Sequence, residues 1–218
     1  MEVSSQHSGR VNQKRRTRKA IIEAARELAR EGRPATVAAA AEAALVSRAT
    51  AYRYFPSQHS LLIEVAASSP DLSADAMLAG TAAQDLEGRL EAVVRGFAEA
   101  MLADEASFRA LSKAALDRWF EQLSVDESER LPVREGRRLW YLETALGPLR
   151  ERLEPEAYER LVHALSLTIG VEAVATLRDI CRLDARQTED LLAWTASAIL
   201  RSALDESTPI TERHGRGS

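Results

Sequence analysis

The chain has 218 residues, of which 45% are hydrophobic and 5% aromatic, and its formal net charge is −4. The apolar fraction is ample for a packed core and excludes a wholly disordered chain. The charge excludes a protein that is basic throughout, but residues 1–62 hold 11 Lys and Arg against 5 Asp and Glu, a net of +6, and leave −10 for the remainder. A basic head on an acidic body is the asymmetry expected when one end meets phosphate.

Met1 to Asn12 is rich in Ser, Gln and Gly, and residues 1–12 are expected as a disordered arm. A helix is predicted over Gln13–Arg30, because Ala20, Ile21, Ala24, Ala25 and Leu28 recur at three- and four-residue steps. Gly32 and Pro34 end it. Thr36 can cap a second helix from Val37 to about Ala44, and Ser47 a third from Arg48 to Phe55, closed by Pro56. Ser57 can cap a fourth, reaching about Ser68. Beyond Pro70 the pattern changes to longer helices, read as Ala83–Ala103, Glu105–Leu123, Val133–Arg152, Pro155–Leu183 and Ala185–Leu204. Residues 205–218 read as a frayed tail. No alternation persists long enough for a strand, and no Asn-Gly or Asp-Gly turn occurs. The expectation is an all-α chain of about nine helices: a helix-turn-helix domain over 13–62 and a helical sensing and dimerising domain over 63–204.

Cys181 is the only cysteine, so no disulfide can form within the chain. No stretch approaches the ~20 apolar residues that span a bilayer, and the first residues carry no apolar signal-peptide core. A cytoplasmic protein is the expectation.

Two short helices joined by about three residues, the second one capped, are what a helix-turn-helix requires. Val46, Ala51 and Phe55 are expected to face the core of the head. Arg48, Ala49, Tyr52 and Arg53 then lie on the opposite side of the third helix, toward a DNA groove. Arginine suits bidentate contact with guanine, while Ser47, Thr50, Tyr54 and Thr36 carry hydroxyls of the kind that grip phosphates. The segment Thr36 to Leu62, TVAAAAEAALVSRATAYRYFPSQHSLL, resembles the signature of the TetR family of bacterial transcriptional regulators. The specific similarity covers about residues 14–65. It implies base and phosphate contacts at Ser47, Arg48, Thr50, Tyr52, Arg53 and Tyr54, with Thr36 on the backbone. Two positions depart from the pattern. Leu45 stands where the family usually has a corner glycine, and Gln58 stands where it commonly has a phosphate-binding lysine. Arg15, Arg16 and Arg18 are the expected compensation.

One head has too few contacts for specific recognition, so a homodimer on a palindromic double-stranded operator is expected, its half-sites ~34 Å apart or a multiple of that. From Ala164 to Ala175 only Glu172 is charged, and a helix apolar nearly all round must be buried on more than one side. Ser166, Gly170 and Ala173, with Ala193, Ser197 and Ala198, are the interface candidates. The resemblance implies a small-molecule effector held in the body. Trp119, Trp140, Tyr141 and His163 are the first pocket candidates, followed by Phe97, Met101 and Phe108, while ordinary core packing is the competing reading for each. A neutral, hydrophobic effector that releases a repressor is expected, with no cofactor and no metal. An activator or architectural protein without an effector stays open as an alternative. Catalysis is the least expected function. His163 has no local partner at metal-ligand spacing, and Cys181 as a nucleophile would need partners from afar.

Overall fold

The computed structural model describes residues 3–68, 72–134 and 136–206, with side chains from residue 12 onward. Eleven α-helices and no strand occur among the described residues. They are α1 (Val3–Arg30), α2 (Val37–Ala43), α3 (Arg48–Tyr54), α4 (Gln58–Ala67), α5 (Ala74–Met77), α6 (Leu86–Ala103), α7 (Glu105–Glu121), α8 (Arg137–Leu146), α9 (Pro155–Leu165), α10 (Val171–Ala175) and α11 (Ala185–Glu206). None of these helices is long and apolar enough to cross a membrane.

The chain divides into two compact units. Unit one comprises Met1–Ser69 and Asp104–Arg134, and unit two Pro70–Ala103 and Glu135–Ser218. Unit one is therefore larger than the expected head. Its α7, expected in the body, packs on α4 and α1. The cause is an apolar face: Ala114 is buried in the head's core, with Ala110 and Leu111 packed against it.

In unit one, α1 buries Ile21, Ile22, Ala25, Leu28 and Ala29, the face that a 3.6-residue period selects. Ala20, expected on that face, is exposed, and Ala24 is only half-buried. Against this face lie Val37, Ala40 and Ala41 from α2, Ala51 from α3, Phe55 just beyond it, and Leu61, Leu62 and Val65 from α4. From Val3 onward the segment expected as an arm forms the first turns of α1, because extending an existing helix adds a hydrogen bond per residue without a second nucleation cost. Met1 and Glu2 lie outside the described residues, as do 207–218 of the expected tail. Asp205 and Glu206 are the last residues of α11.

In unit two, α6 packs on α11 and on α8, and α9 packs on both α8 and α11. Leu90, Val93, Val94 and Phe97 of α6, Leu142, Ala145 and Leu146 of α8, Leu161 and Leu165 of α9, and Leu192, Ala196 and Leu200 of α11 are buried.

The longer expected helices are cut shorter here. Instead of one helix over 155–183, α9 stops at Leu165, the chain turns through Gly170, α10 follows, and Thr176–Ile180 forms a π-helical turn. Gly170 has φ 128° and ψ 160°, a region open essentially to glycine alone. The Ser166 and Thr168 hydroxyls donate to the His163 and Leu165 carbonyls, both at 2.7 Å, local bonds that compete with helix continuation. Likewise α8 is shorter than the expected 133–152. It ends at Leu146 in a 3-10 turn over Gly147–Leu149, where Pro148 has no N–H to donate.

Candidate nucleic-acid interface

The helix-turn-helix is fixed by three hydroxyl caps. Thr36 Oγ1 accepts the Ala39 N–H at 3.0 Å and Ser47 Oγ the Thr50 N–H at 3.2 Å. Ser57 and Ser60 exchange side-chain bonds with each other's backbone N–H groups, a capping box built from two serines. Each hydroxyl satisfies an amide that the first helical turn leaves without a partner, so α2, α3 and α4 begin where expected.

The corner between α2 and α3 carries the first departure from the family pattern. The Val46 N–H donates to the Ala41 carbonyl at 2.9 Å and the Leu45 N–H to the Glu42 carbonyl at 3.1 Å. This is a Schellman closure, which needs a left-handed residue. Leu45 supplies it with φ 56°, and its side chain is 95% exposed. The end of α1 closes in the same way, from Arg33 N to Leu28 O and Gly32 N to Ala29 O, with Gly32 at φ 71°. The corner thus has the usual glycine geometry, held by a leucine.

That turn sets the rotation of α3. Ala51 and Phe55 are buried and Val46 half-buried, while Arg48, Ala49, Tyr52 and Arg53 are exposed on the other side, as the sequence predicts. Among the described residues no carboxylate engages Arg48 or Arg53, and the Arg53 guanidinium lies 5.8 Å from the Tyr54 ring centroid. Thr50 and Tyr54 are half-buried, and Gln58 is exposed at the start of α4. Ser47 donates its own hydroxyl hydrogen to Thr50 Oγ1 at 2.9 Å. The result is a surface of two forked cations, a phenol and hydroxyl groups projecting from one short helix. Such a set is able to meet base edges and phosphates together.

On α1, Lys14, Arg15 and Arg16 are exposed. Arg18 is not available in the same way. It pairs with Glu64 at 2.6 Å and lies over the Phe55 ring at 5.6 Å, so it fastens α1 to α4 and to the end of α3.

The expected pocket residues fall into separate places. Phe108 is buried in unit one and Trp119 is exposed on α7, where it meets the Phe120 ring edge-on at 5.1 Å. In unit two, Phe97, Met101 and Tyr141 are buried, and Trp140 is half exposed. Tyr141 packs edge-on against Phe97 at 4.7 Å and Trp140 at 4.8 Å. Its hydroxyl, expected as a handle for a ligand, donates to the Leu72 carbonyl at 2.9 Å. Burial pushes that phenol above its ordinary range, against the opposing charge of Arg137. His163 is exposed on α9 and lines a groove of about 290 Å³ with Glu143, Arg150, Tyr158, Glu159 and Val162.

Of the interface candidates, Gly170 and Ala193 are buried within their own unit. A β-carbon on Gly170 would lie 2.7 Å from the Arg138 guanidinium. Ser166, Ala173, Ser197 and Ala198 are half-buried. The large exposed apolar residues of α11 are Leu191 and Trp194. With Ala198 they form a three- and four-residue stripe, which the sequence pattern contained but the search for small residues passed over.

Sequence reasoning also missed Arg26, which is only 8% exposed. Its guanidinium donates to both Glu23 carboxylate oxygens at 3.0 Å, to Asp104 Oδ2 at 3.0 Å, to the Val65 carbonyl at 2.8 Å and to Ser68 Oγ at 2.6 Å. Nothing local in the sequence distinguishes it from the other arginines of α1, because two of these partners lie 42 and 78 residues away.

Residues 21–65 match the sequence model of the bacterial regulatory proteins of the tetR family. No curated protein matches the chain. The match covers α2, α3 and α4 and the buried face of α1, the same segment whose caps and corner present Arg48 and Arg53 outward. Over these residues the chain is similar to the DNA-binding transcriptional regulators of that family.

Proposed function

We propose that the protein is a repressor that acts in the cytoplasm, binds a palindromic operator as a homodimer, and leaves it when a small hydrophobic effector occupies unit two. The observation that carries the DNA half of this reading is the two-sidedness of α3. Ala51 and Phe55 are buried behind it, while Arg48, Tyr52 and Arg53 stand in solvent with no carboxylate partner among the described residues. In this reading α3 lies in the major groove. Arg48 and Arg53 take guanine edges. Tyr52, Tyr54 and Thr50 meet bases and phosphates, and Ser47, Thr36 and Gln58 lie along the backbone. Thr36 accepts through its oxygen from Ala39, so its hydrogen is left to donate to a phosphate. Arg15 and Arg16 add charge from α1, and Arg18 acts through Phe55 and Glu64 rather than on DNA.

The dimer half rests on α11 and α9. Leu191, Trp194 and Ala198, beside the half-buried Ser197 and Ser166, supply an apolar stripe suited to a second copy. The effector half rests on the aromatic cluster of Phe97, Trp140 and Tyr141 and on the groove beside His163. A ligand shifts the head spacing only by its differential affinity for the two arrangements.

Footprinting on the DNA that flanks the protein's own coding region tests the reading. Two protected half-sites about one helical turn apart, or a multiple, are expected. Protection of a single half-site would overturn the dimer, and no protection at any duplex would overturn the operator reading. Titration of tryptophan fluorescence with a panel of apolar compounds tests the effector, and the absence of any saturable change would overturn it.

A further inference from the structure

We infer that the outer face of α7 is a docking surface for a second copy of this chain, paired antiparallel about a two-fold axis between Trp119 and Phe120. The whole face lies in unit one. Its helix distributes side chains against the usual rule. Toward the head's core α7 turns Ala110, Leu111 and Ala114. Toward solvent it turns Leu116, Trp119 and Phe120, and Leu123 follows in the 3-10 turn Gln122–Ser124; these four are 58, 49, 62 and 51% exposed. Their three- and four-residue spacing makes a single stripe. The Trp119 and Phe120 rings meet edge-on at 5.1 Å, so the centre of the stripe is ordered before a partner arrives. Together the four side chains expose on the order of 500 Å², near the top of the ~300–600 Å² that the largest apolar patch of a monomer reaches.

The order of the residues says what covers this face. A two-fold contact sets one surface against itself, so the sequence must read alike from both ends. It does: an axis between Trp119 and Phe120 sets Trp119 of one copy against Phe120 of the other, and Leu116 against Leu123. The same register sets Lys113, beside the first end of the stripe, against Asp126 beyond the last. Asp126, Glu127 and Glu129 are all exposed, and Arg130 turns back onto the Val125 carbonyl at 3.0 Å. Gln122 pins this acidic segment to the end of α7: its side chain accepts the Leu131 N–H at 2.6 Å and donates to the Leu131 carbonyl at 3.1 Å. Lys113 bonds Asp117 at 2.8 Å, the two side chains being 77 and 54% exposed, and a pair so exposed holds little energy against an exchange of partners. With these charges as its rim, the stripe approaches the ~800 Å² per partner of a stable contact. An unrelated partner demands no such symmetry, and a second copy does.

This contact is separate from the α11 stripe and needs neither DNA nor effector, so its test stands apart from the reading above. In the full chain carrying Cys181→Ser, Leu116→Cys and Leu123→Cys are made one at a time. Treated with a short bis-maleimide, a mixture of the two variants is expected to give several-fold more linked dimer than either variant alone, because the register sets 116 against 123. Sedimentation equilibrium then compares the Phe120→Glu, Lys113→Glu and Trp194→Glu variants with the native chain. Phe120→Glu is expected to weaken one association step roughly ten-fold or more, a step that Trp194→Glu on α11 leaves intact. Lys113→Glu is expected to weaken the same step, and Lys113→Glu combined with Asp126→Lys to restore it. If Phe120→Glu fails to fold, the charge exchange decides. A mixture that links no better than its components, or a folded Phe120→Glu that associates like the native chain, would overturn the proposal. Loss of every association step in Trp194→Glu, linkage of the 116 and 123 cysteines included, would overturn it as well and assign self-association to α11 alone.

Discussion

Helices α2, α3 and α4 of the head and helices α8, α9 and α10 of unit two end for different physical reasons. Each head helix opens on a Thr or Ser whose oxygen takes an amide of the first turn, so its start is written into a single residue. None of α8, α9 and α10 has a side-chain cap. Their limits come from Pro148, from Gly170 and from the hydroxyls of Ser166 and Thr168 turning back on the helix. Capping hydroxyls set where the head helices begin, and helix-breaking residues set where α8 and α9 stop.

The sharpest way to break this contrast lies within α3 and the residue that follows it. Phe55 is 1% exposed beneath the Arg18 guanidinium, so Phe55→Ala should cost about 3–5 kcal/mol of head stability. Tyr52→Ala, three residues earlier and exposed, should cost well under half of that, read as the difference in denaturation midpoints. Equal losses would mean that α3 has no inner and outer side.

Gly170→Ala probes the second unit in the same way. It forces a side chain into φ 128° and against Arg138, and about 1–3 kcal/mol of destabilisation follows from the backbone alone. A neutral outcome in urea titration would show that the break between α9 and α10 is not fixed by this glycine.

These positions also show how much was legible beforehand. The three caps, the apolar Ala51 and Phe55 and the outward Arg48 and Arg53 could be read directly, because each follows from spacing within a few residues. Leu45 was visible as a departure from the family glycine, and its φ of 56° shows that the fold kept the turn rather than the residue. Arg18 and Arg26 were visible only as positive charge. Their partners are set by the tertiary fold, so neither the Arg18–Glu64 pair nor the cluster around Arg26 could be read beforehand. The run Ala164–Ala175 looked like continuous helix because periodicity registers burial but not the backbone angle at Gly170. Trp119 and Trp140 looked alike as large rings in the body, yet α7 belongs with the head, for reasons spread over Asp104, Ala110, Leu111 and Ala114.

A smaller effect sharpens the comparison of the two Schellman corners. Leu45→Gly removes left-handed strain of about 1–2 kcal/mol and gives back part of it as chain entropy in the unfolded state. A net gain of up to about 1 kcal/mol is expected in the head's melting, with no burial lost. Destabilisation would show that the exposed leucine makes a contact in solution.

The smallest effect concerns charge in unit two. Burial, and then Glu99 and Asp190, hold the Glu189 carboxyl above its ordinary range, against the pull of Arg95. The fold therefore favours the protonated form and loses stability as pH rises through the carboxylate range. Glu189→Gln should raise the melting temperature slightly at pH 7, and the gain should fade as pH falls toward about 4. A gain that is constant with pH would assign it to packing instead.

The central claim is that α3 offers its arginines to duplex DNA, and the most direct measurement is the salt dependence of binding to a duplex selected from a random library. The native protein should bind with an affinity that falls steeply as salt rises. Arg48→Ala combined with Arg53→Ala should weaken the selected duplex by roughly 10- to 100-fold or more, well beyond its effect on random DNA. Equal weakening on both duplexes, or binding that ignores salt, would contradict the account.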